Sequence, residues 1–145
     1  MSGLSKRLLL RNLEEGHIYF FEPTATIGIP GHRHIFLKKN GEGLLIFSCC
    51  TSQQQTMQKL ITRNGWPQST IVKLTPDIQN KLTTDTYVNC NSLQIVSSDD
   101  FFENYKRGNI TINNAEIDDV SFLAIENGII QSDLVDEETK DLFRG

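Results

Sequence analysis

His32, Arg33 and His34 are consecutive, and together they carry the groups that cleaving a phosphodiester without a metal requires. An imidazole takes or gives a proton near neutrality. A guanidinium forks across two oxygens and suits the negative charge that grows on phosphorus. On an extended chain His32 and His34 share one face and Arg33 points to the other, an objection that relaxes if the triplet lies in a loop. Thr51 and Ser52 close an apolar run and could hold a phosphate at the N-terminus of a helix that they cap. Each of these has a plainer role beside the chemical one. Capping alone accounts for Thr51 and Ser52, and a surface ion pair accounts for Arg33. Asn89 and Asn91 flank Cys90; their amides could read a base edge, while turn formation explains two asparagines as well.

Metal and thiol chemistry are weaker readings. His32, His34 and a cysteine are the right ligand types for zinc, but no Cys-x2-Cys or His-x3-His spacing accompanies them. No metal and no cofactor is expected. The cysteines are Cys49, Cys50 and Cys90, an odd set with two adjacent members and so a poor disulfide framework. They read as reduced core thiols. Cys90 has no basic neighbour in sequence to activate it.

The elements that must position these residues follow from pattern. His17 to Glu22 (HIYFFE) is aromatic and β-branched, a strand ended by Pro23. A loop punctuated by Gly28, Pro30 and Gly31 leads to a second strand over His34 to Lys39. Asn40-Gly41 then turns the chain into Leu44 to Cys50, an apolar run on both faces and hence a central, buried strand. A helix is expected after Thr51 or Ser52, with Met57, Leu60 and Ile61 at helical spacing and Gly65 as its stop. Ser69 to Leu74 reads as a strand and Thr75-Pro76-Asp77 as a helix start. Thr86 to Val88 and Leu93 to Val96 read as one interrupted strand or a tight pair. Ser97 to Asp100 should cap a helix running to about Arg107, Asn113 to Asn127 should form another, and Ser132 to Phe143 an acidic amphipathic one.

Such elements predict an α+β, mainly β fold: a small SH3-like antiparallel barrel or a strongly bent sheet, with peripheral helices and a helical C-terminal tail. No βαβ units favour a doubly wound sheet. The chain has 145 residues, 38% hydrophobic and 22% charged, which fits one domain. Residues 16–127 would form its barrel-like core and 128–145 an acidic tail. No apolar run is long enough to span a bilayer, and Leu8 to Leu10 is too short for a signal-peptide core. The expectation is a cytoplasmic protein with no membrane partner. The formal net charge is −4, unfavourable for a phosphate backbone as a whole. The charge is uneven, however: the cations gather in the first 63 residues and the acids from Ser98 onward.

Taken in order, several short motifs resemble the MazF/PemK toxin family. Gly16-His17-Ile18-Tyr19-Phe20 resembles the opening strand, and Gly31-His32-Arg33-His34-Ile35 the Gly-rich loop, arginine and second strand. Phe47-Ser48-Cys49-Cys50-Thr51-Ser52 is similar to the third strand ending in Thr-Ser. Thr86-Tyr87-Val88, with Phe101 and Gly108, is similar to the later strand and the helix after it. The likeness spans about residues 16 to 127. It implies sequence-selective, metal-independent cleavage of single-stranded RNA by a homodimer, neutralised by an antitoxin. It also implies Arg33 as the catalytic arginine and Thr51 and Ser52 as phosphate-side hydroxyls. His32 or His34 would move protons, and Asn89 and Asn91 would touch the RNA. Asn91-Ser92-Leu93-Gln94 stands where the family carries an acid and an arginine. That departure, with the acidic balance, keeps a second expectation open: a non-catalytic protein-interaction module on the same barrel. A metal-dependent hydrolase built on His32 and His34 is a third.

Overall fold

The computed structural model of the chain describes residues 3–11 and 13–145. Its elements are α1 (Gly3–Arg11), β1 (His17–Phe21), β2 (His32–Lys39), β3 (Leu44–Thr51), α2 (Gln54–Asn64), β4 (Ile71–Leu74), β5 (Thr86–Ser97), α3 (Ser98–Lys106), β6 (Ile110–Glu116), α4 (Asp119–Gln131) and α5 (Glu137–Asp141). A single 3-10 turn, Gln68–Thr70, leads into β4. The strands form one six-stranded antiparallel sheet in the order β4-β5-β3-β2-β1-β6. Its edges, β4 and β6, do not pair with each other. The fold is thus α+β and mainly β, a bent open sheet rather than a closed barrel.

Apolar alternation explains why β3 is central. Leu45 and Phe47 face one side and Ile46 and Cys50 the other, as the period-two pleat requires. Two cores result. One gathers Ile35, Leu37, Ile46 and Val88 under Ile125 and Ile129 of α4 and Phe143 of the tail. The other packs Tyr19, Phe21, Phe36 and Phe47 against Phe101 of α3, with Leu9 and Leu10 of α1 at its margin. The Phe47 and Phe101 rings stack at 5.7 Å.

Bulges bend the sheet. Leu37 is the extra residue where β2 shifts register against β3, and Asn89 to Ser92 stand opposite Cys49 alone where β5 shifts against β3. Unpaired residues on one strand of a pair kink it and tighten its twist. The interrupted stretch around Asn89-Cys90-Asn91 is accordingly one continuous, bulged strand.

Four local expectations are corrected. Thr75-Pro76-Asp77 starts no helix, because the buried Asn80 side chain takes over the local backbone. Its Oδ1 accepts from the amides of Asp77 (3.0 Å) and Leu82 (3.0 Å), and its Nδ2 donates to the Thr75 carbonyl (2.9 Å). Such side-chain bonds give the backbone an alternative to the helix. Asn113 to Asn127 is not one helix either. Residues up to Glu116 pair with β1, and α4 begins beyond Asp118, whose carboxylate accepts from the Ser121 amide at 2.7 Å. The helix runs on through Gly128 to Gln131. The tail is helical only over Glu137–Asp141, and it packs on the sheet through Phe143. Finally, the N-cap of α2 is Gln53, not Thr51 or Ser52. The Ser97 cap of α3 and the Gly65 stop of α2 are as expected.

Candidate functional site

Both β2 and β5 run antiparallel to β3 and flank it. Their first residues therefore meet at the end of the sheet where β3 finishes. A cleft of about 320 Å³ opens there, lined by Gly31, His32, Arg33, Cys50, Thr51, Ser52, Gln53, Leu82, Thr83, Thr84 and Thr86. Four of the residues expected to act together, His32, Arg33, Thr51 and Ser52, lie in this one cleft. His32 and Arg33 open β2, in register with Phe21 and Phe20 of β1, and both line the cleft.

Buried Cys50 and Leu82 form its apolar floor, and hydroxyls form much of its wall. Arg33 is exposed and forms no ion pair among the described residues. Among the described residues no carboxylate lines the cleft. Asp85, which follows Thr84, is engaged by Lys73 at 3.4 Å. His32 Nδ1 lies 3.2 Å from the Pro30 carbonyl. With the proton on Nδ1, that bond leaves Nε2 unprotonated and free to act as a base.

Thr51 shapes the rim rather than capping the helix: its Oγ1 accepts from the Gln53 amide at 3.2 Å. Gln53 makes no side-chain cap bond to α2, and its Oε1 accepts from Thr56 Oγ1 at 3.2 Å. The first turn of α2 therefore starts beside Ser52 and Gln53 of the cleft without a side-chain cap, its Gln54 amide donating to the Ser52 carbonyl at 3.1 Å. The Cys50 thiol is pushed well up by burial and by Cys49, against an opposing pull from Arg33. It is packing, not a nucleophile. Burial likewise raises Cys90 to about 12 and Cys49 to about 11.

Three expected site residues lie elsewhere. His34 is fully buried, stacked on Phe21 with ring centroids 3.9 Å apart. Its Nε2 accepts from the Ile29 amide at 3.1 Å, and its Nδ1 donates to the His32 carbonyl at 3.0 Å. Neither nitrogen is left for substrate or metal. Its role is to staple the 22–31 loop to the sheet and so to fix Gly31 and His32. Gly28 makes that close approach feasible: at φ +59°, a Cβ there would come within 2.7 Å of the Phe21 ring and 2.8 Å of His34 Nε2. Asn91 is also buried, its Nδ2 donating to Thr70 Oγ1 (2.8 Å) and its Oδ1 accepting from Ser132 Oγ (2.7 Å). Asn89 supports this network by accepting from the Asn91 amide at 2.9 Å. Both asparagines secure the bulge of β5 to the end of α4, away from the cleft.

Burial pulls His34 down to about 4 from its ordinary 6.5, the hydrogen bond to His32 opposing only in part. The fold therefore holds the neutral ring, whereas the unfolded chain takes up the proton below about pH 6.5. Stability from this group is intact above pH 6.5, declines as pH falls toward 4, and is flat below that, a loss of about 3 kcal/mol. Urea unfolding at pH 7 and pH 4.5 should show a shallower decline in His34→Gln than in the parent. Equal declines would mean that His34 titrates normally.

Gln53, Thr83, Thr84 and Thr86 line the cleft although the sequence reading passed over them. Threonines in a turn-rich stretch carry no signal of their own, and only the pairing of β5 beside β3 brings them to Thr51. Among the described residues, no group of three or more His, Cys, Asp or Glu side chains is placed to hold a metal ion. No described helix is long and apolar enough to cross a membrane. No protein-family model matches the chain, and no curated protein matches it.

Proposed function

We propose that the cleft binds a phosphodiester of single-stranded RNA and that the chain is a metal-independent endoribonuclease of the MazF/PemK kind, held in check by an antitoxin. The observation that carries this reading is the gathering of His32, Arg33, Thr51 and Ser52 in one cleft free of carboxylates. His32 Nε2 takes the proton of the 2′-hydroxyl as its oxygen attacks phosphorus. Arg33 forks across the two non-bridging oxygens as their charge grows. The Thr51 and Ser52 hydroxyls, which line the same cleft, hold the same group. The P–O5′ bond breaks, and the leaving oxygen receives its proton from the imidazolium. The products are a 2′,3′-cyclic phosphate and a 5′-hydroxyl, with no water consumed. The reading carries with it a cytoplasmic location and, from the resemblance, a homodimer.

One observation favours a second reading. Among the described residues Arg33 is the one arginine or lysine lining the cleft, and the chain's net charge is −4, whereas RNA binding ordinarily draws on several cations. A non-catalytic module that takes a protein segment in the same cleft needs no more than this. The two readings separate when the chain is incubated with a long RNA in chelator and the fragment ends are analysed. Discrete fragments ending in cyclic phosphate are expected, with His32→Ala slower by about 10²–10⁴-fold. A well-folded chain that leaves the RNA whole would overturn the nuclease and leave the binding module.

A further inference from the structure

Over the second half of β5 and the turn that opens β3, the apolar face of the sheet is incompletely covered. Ile95 of β5 is 55% exposed and Leu134, in the segment between α4 and α5, is 61% exposed. Two grooves of about 300 Å³ and 270 Å³ adjoin here and share Ile95 and Thr139. One runs between β5 and the Leu134–Asp136 segment; the other runs between the Asn40–Glu42 turn and α5. The tail forms a common wall because Phe143 anchors it in the core. The acids are placed around this floor: Asp136, Glu138 and Glu42 line the grooves, and among the described residues no lysine or arginine does. Glu42 and Glu138 have no ion-pair partner among the described residues. Asp136 is held ionised by the Thr139 amide, which it accepts at 2.7 Å.

We infer that this double groove is a docking site for an extended peptide segment of a partner protein, with aliphatic side chains set between lysines or arginines. An aliphatic residue seated on Ile95 and Leu134 would bury surface that now faces water. Cations beside it would meet the Glu42 and Glu138 carboxylates, which pair with no cation among the described residues, and complementary charge sets which partner is accepted. The site is distinct from the RNA cleft, with which it shares no lining residue.

The probes are a fluorescent hexapeptide of alternating lysine and leucine and its counterpart with glutamate in place of lysine, each titrated into the full chain. The basic peptide is expected to bind and the acidic one not. Ile95→Ser should weaken binding by about tenfold or more, and Glu42→Lys combined with Glu138→Lys should reverse the preference. All three positions are exposed, so the variants should fold. Binding unchanged in both variants, or no binding of the basic peptide, overturns the inference. So does self-association of the chain that Ile95→Ser abolishes, which would make a second copy the occupant.

Discussion

Arg33→Ala is expected to lower RNA cleavage in the presence of chelator by about 10²–10³-fold, the usual effect of removing one donor that meets charge developing in a transition state. The loss should fall on kcat as well as on kcat/KM, because in the proposed reaction the guanidinium would serve the dianionic phosphorane more than the ground-state diester. Stability should change by no more than about 0.5 kcal/mol, since exposed side chains away from special features contribute little. Arg33 is exposed and outside every ion pair among the described residues. Arg33→Lys should recover only part of the activity, as an ammonium keeps the charge but not the fork. Single-turnover cleavage measured beside a thermal melt distinguishes the outcomes. Full activity in Arg33→Ala would remove the catalytic assignment, and a collapsed melt would mean that Arg33 holds the fold.

Gly128→Ala tests the packing behind the site, and its sign is the point. In an exposed helix interior this change stabilises by up to about 1 kcal/mol. Inside α4 an added Cβ would lie 2.6 Å from the Ser69 carbonyl oxygen and 2.7 Å from Cys90 Sγ. The oxygen belongs to backbone and cannot swing aside, so α4 must lift from β5 and the turn before β4. Overpacking of this kind costs about 1–3 kcal/mol and should outweigh the helix preference. Urea unfolding should show a net loss for Gly128→Ala and a larger one for Gly128→Val. Cys90→Ala should relieve only part of it, because the Ser69 contact remains. A gain in stability for Gly128→Ala would show that α4 does not approach β5 this closely.

The first half of the chain was legible because its determinants are local. Aromatic and β-branched runs, the Asn40-Gly41 turn and the apolar Leu44–Thr51 stretch specify β1 to β3 without help from distant residues. The caps at Ser97 and Gly65 act within a turn of the helices they bound. Reading failed where a side chain outcompeted the pattern or a distant strand decided the matter. Asn80 turned a helix start into a loop, and pairing with β1 drew Ile110–Glu116 into the sheet.

The same division runs through the site. His32, Arg33 and Thr51 belong to one hairpin, so antiparallel pairing alone brings the start of β2 to the end of β3, and the residue types are those the proposed chemistry needs. That much the sequence by itself determined. Which histidine faces water could not be read from it, because His32 and His34 are the same residue type two positions apart. Only the closing of the Gly28 loop over Phe21 buries one and leaves the other on the cleft. Nor could the threonine wall be read, since Thr83 to Thr86 reach Thr51 only after β5 pairs beside β3, past α2 and β4. Chemistry resides in residue types, which a sequence displays, whereas convergence depends on long-range pairing that the tertiary structure alone decides.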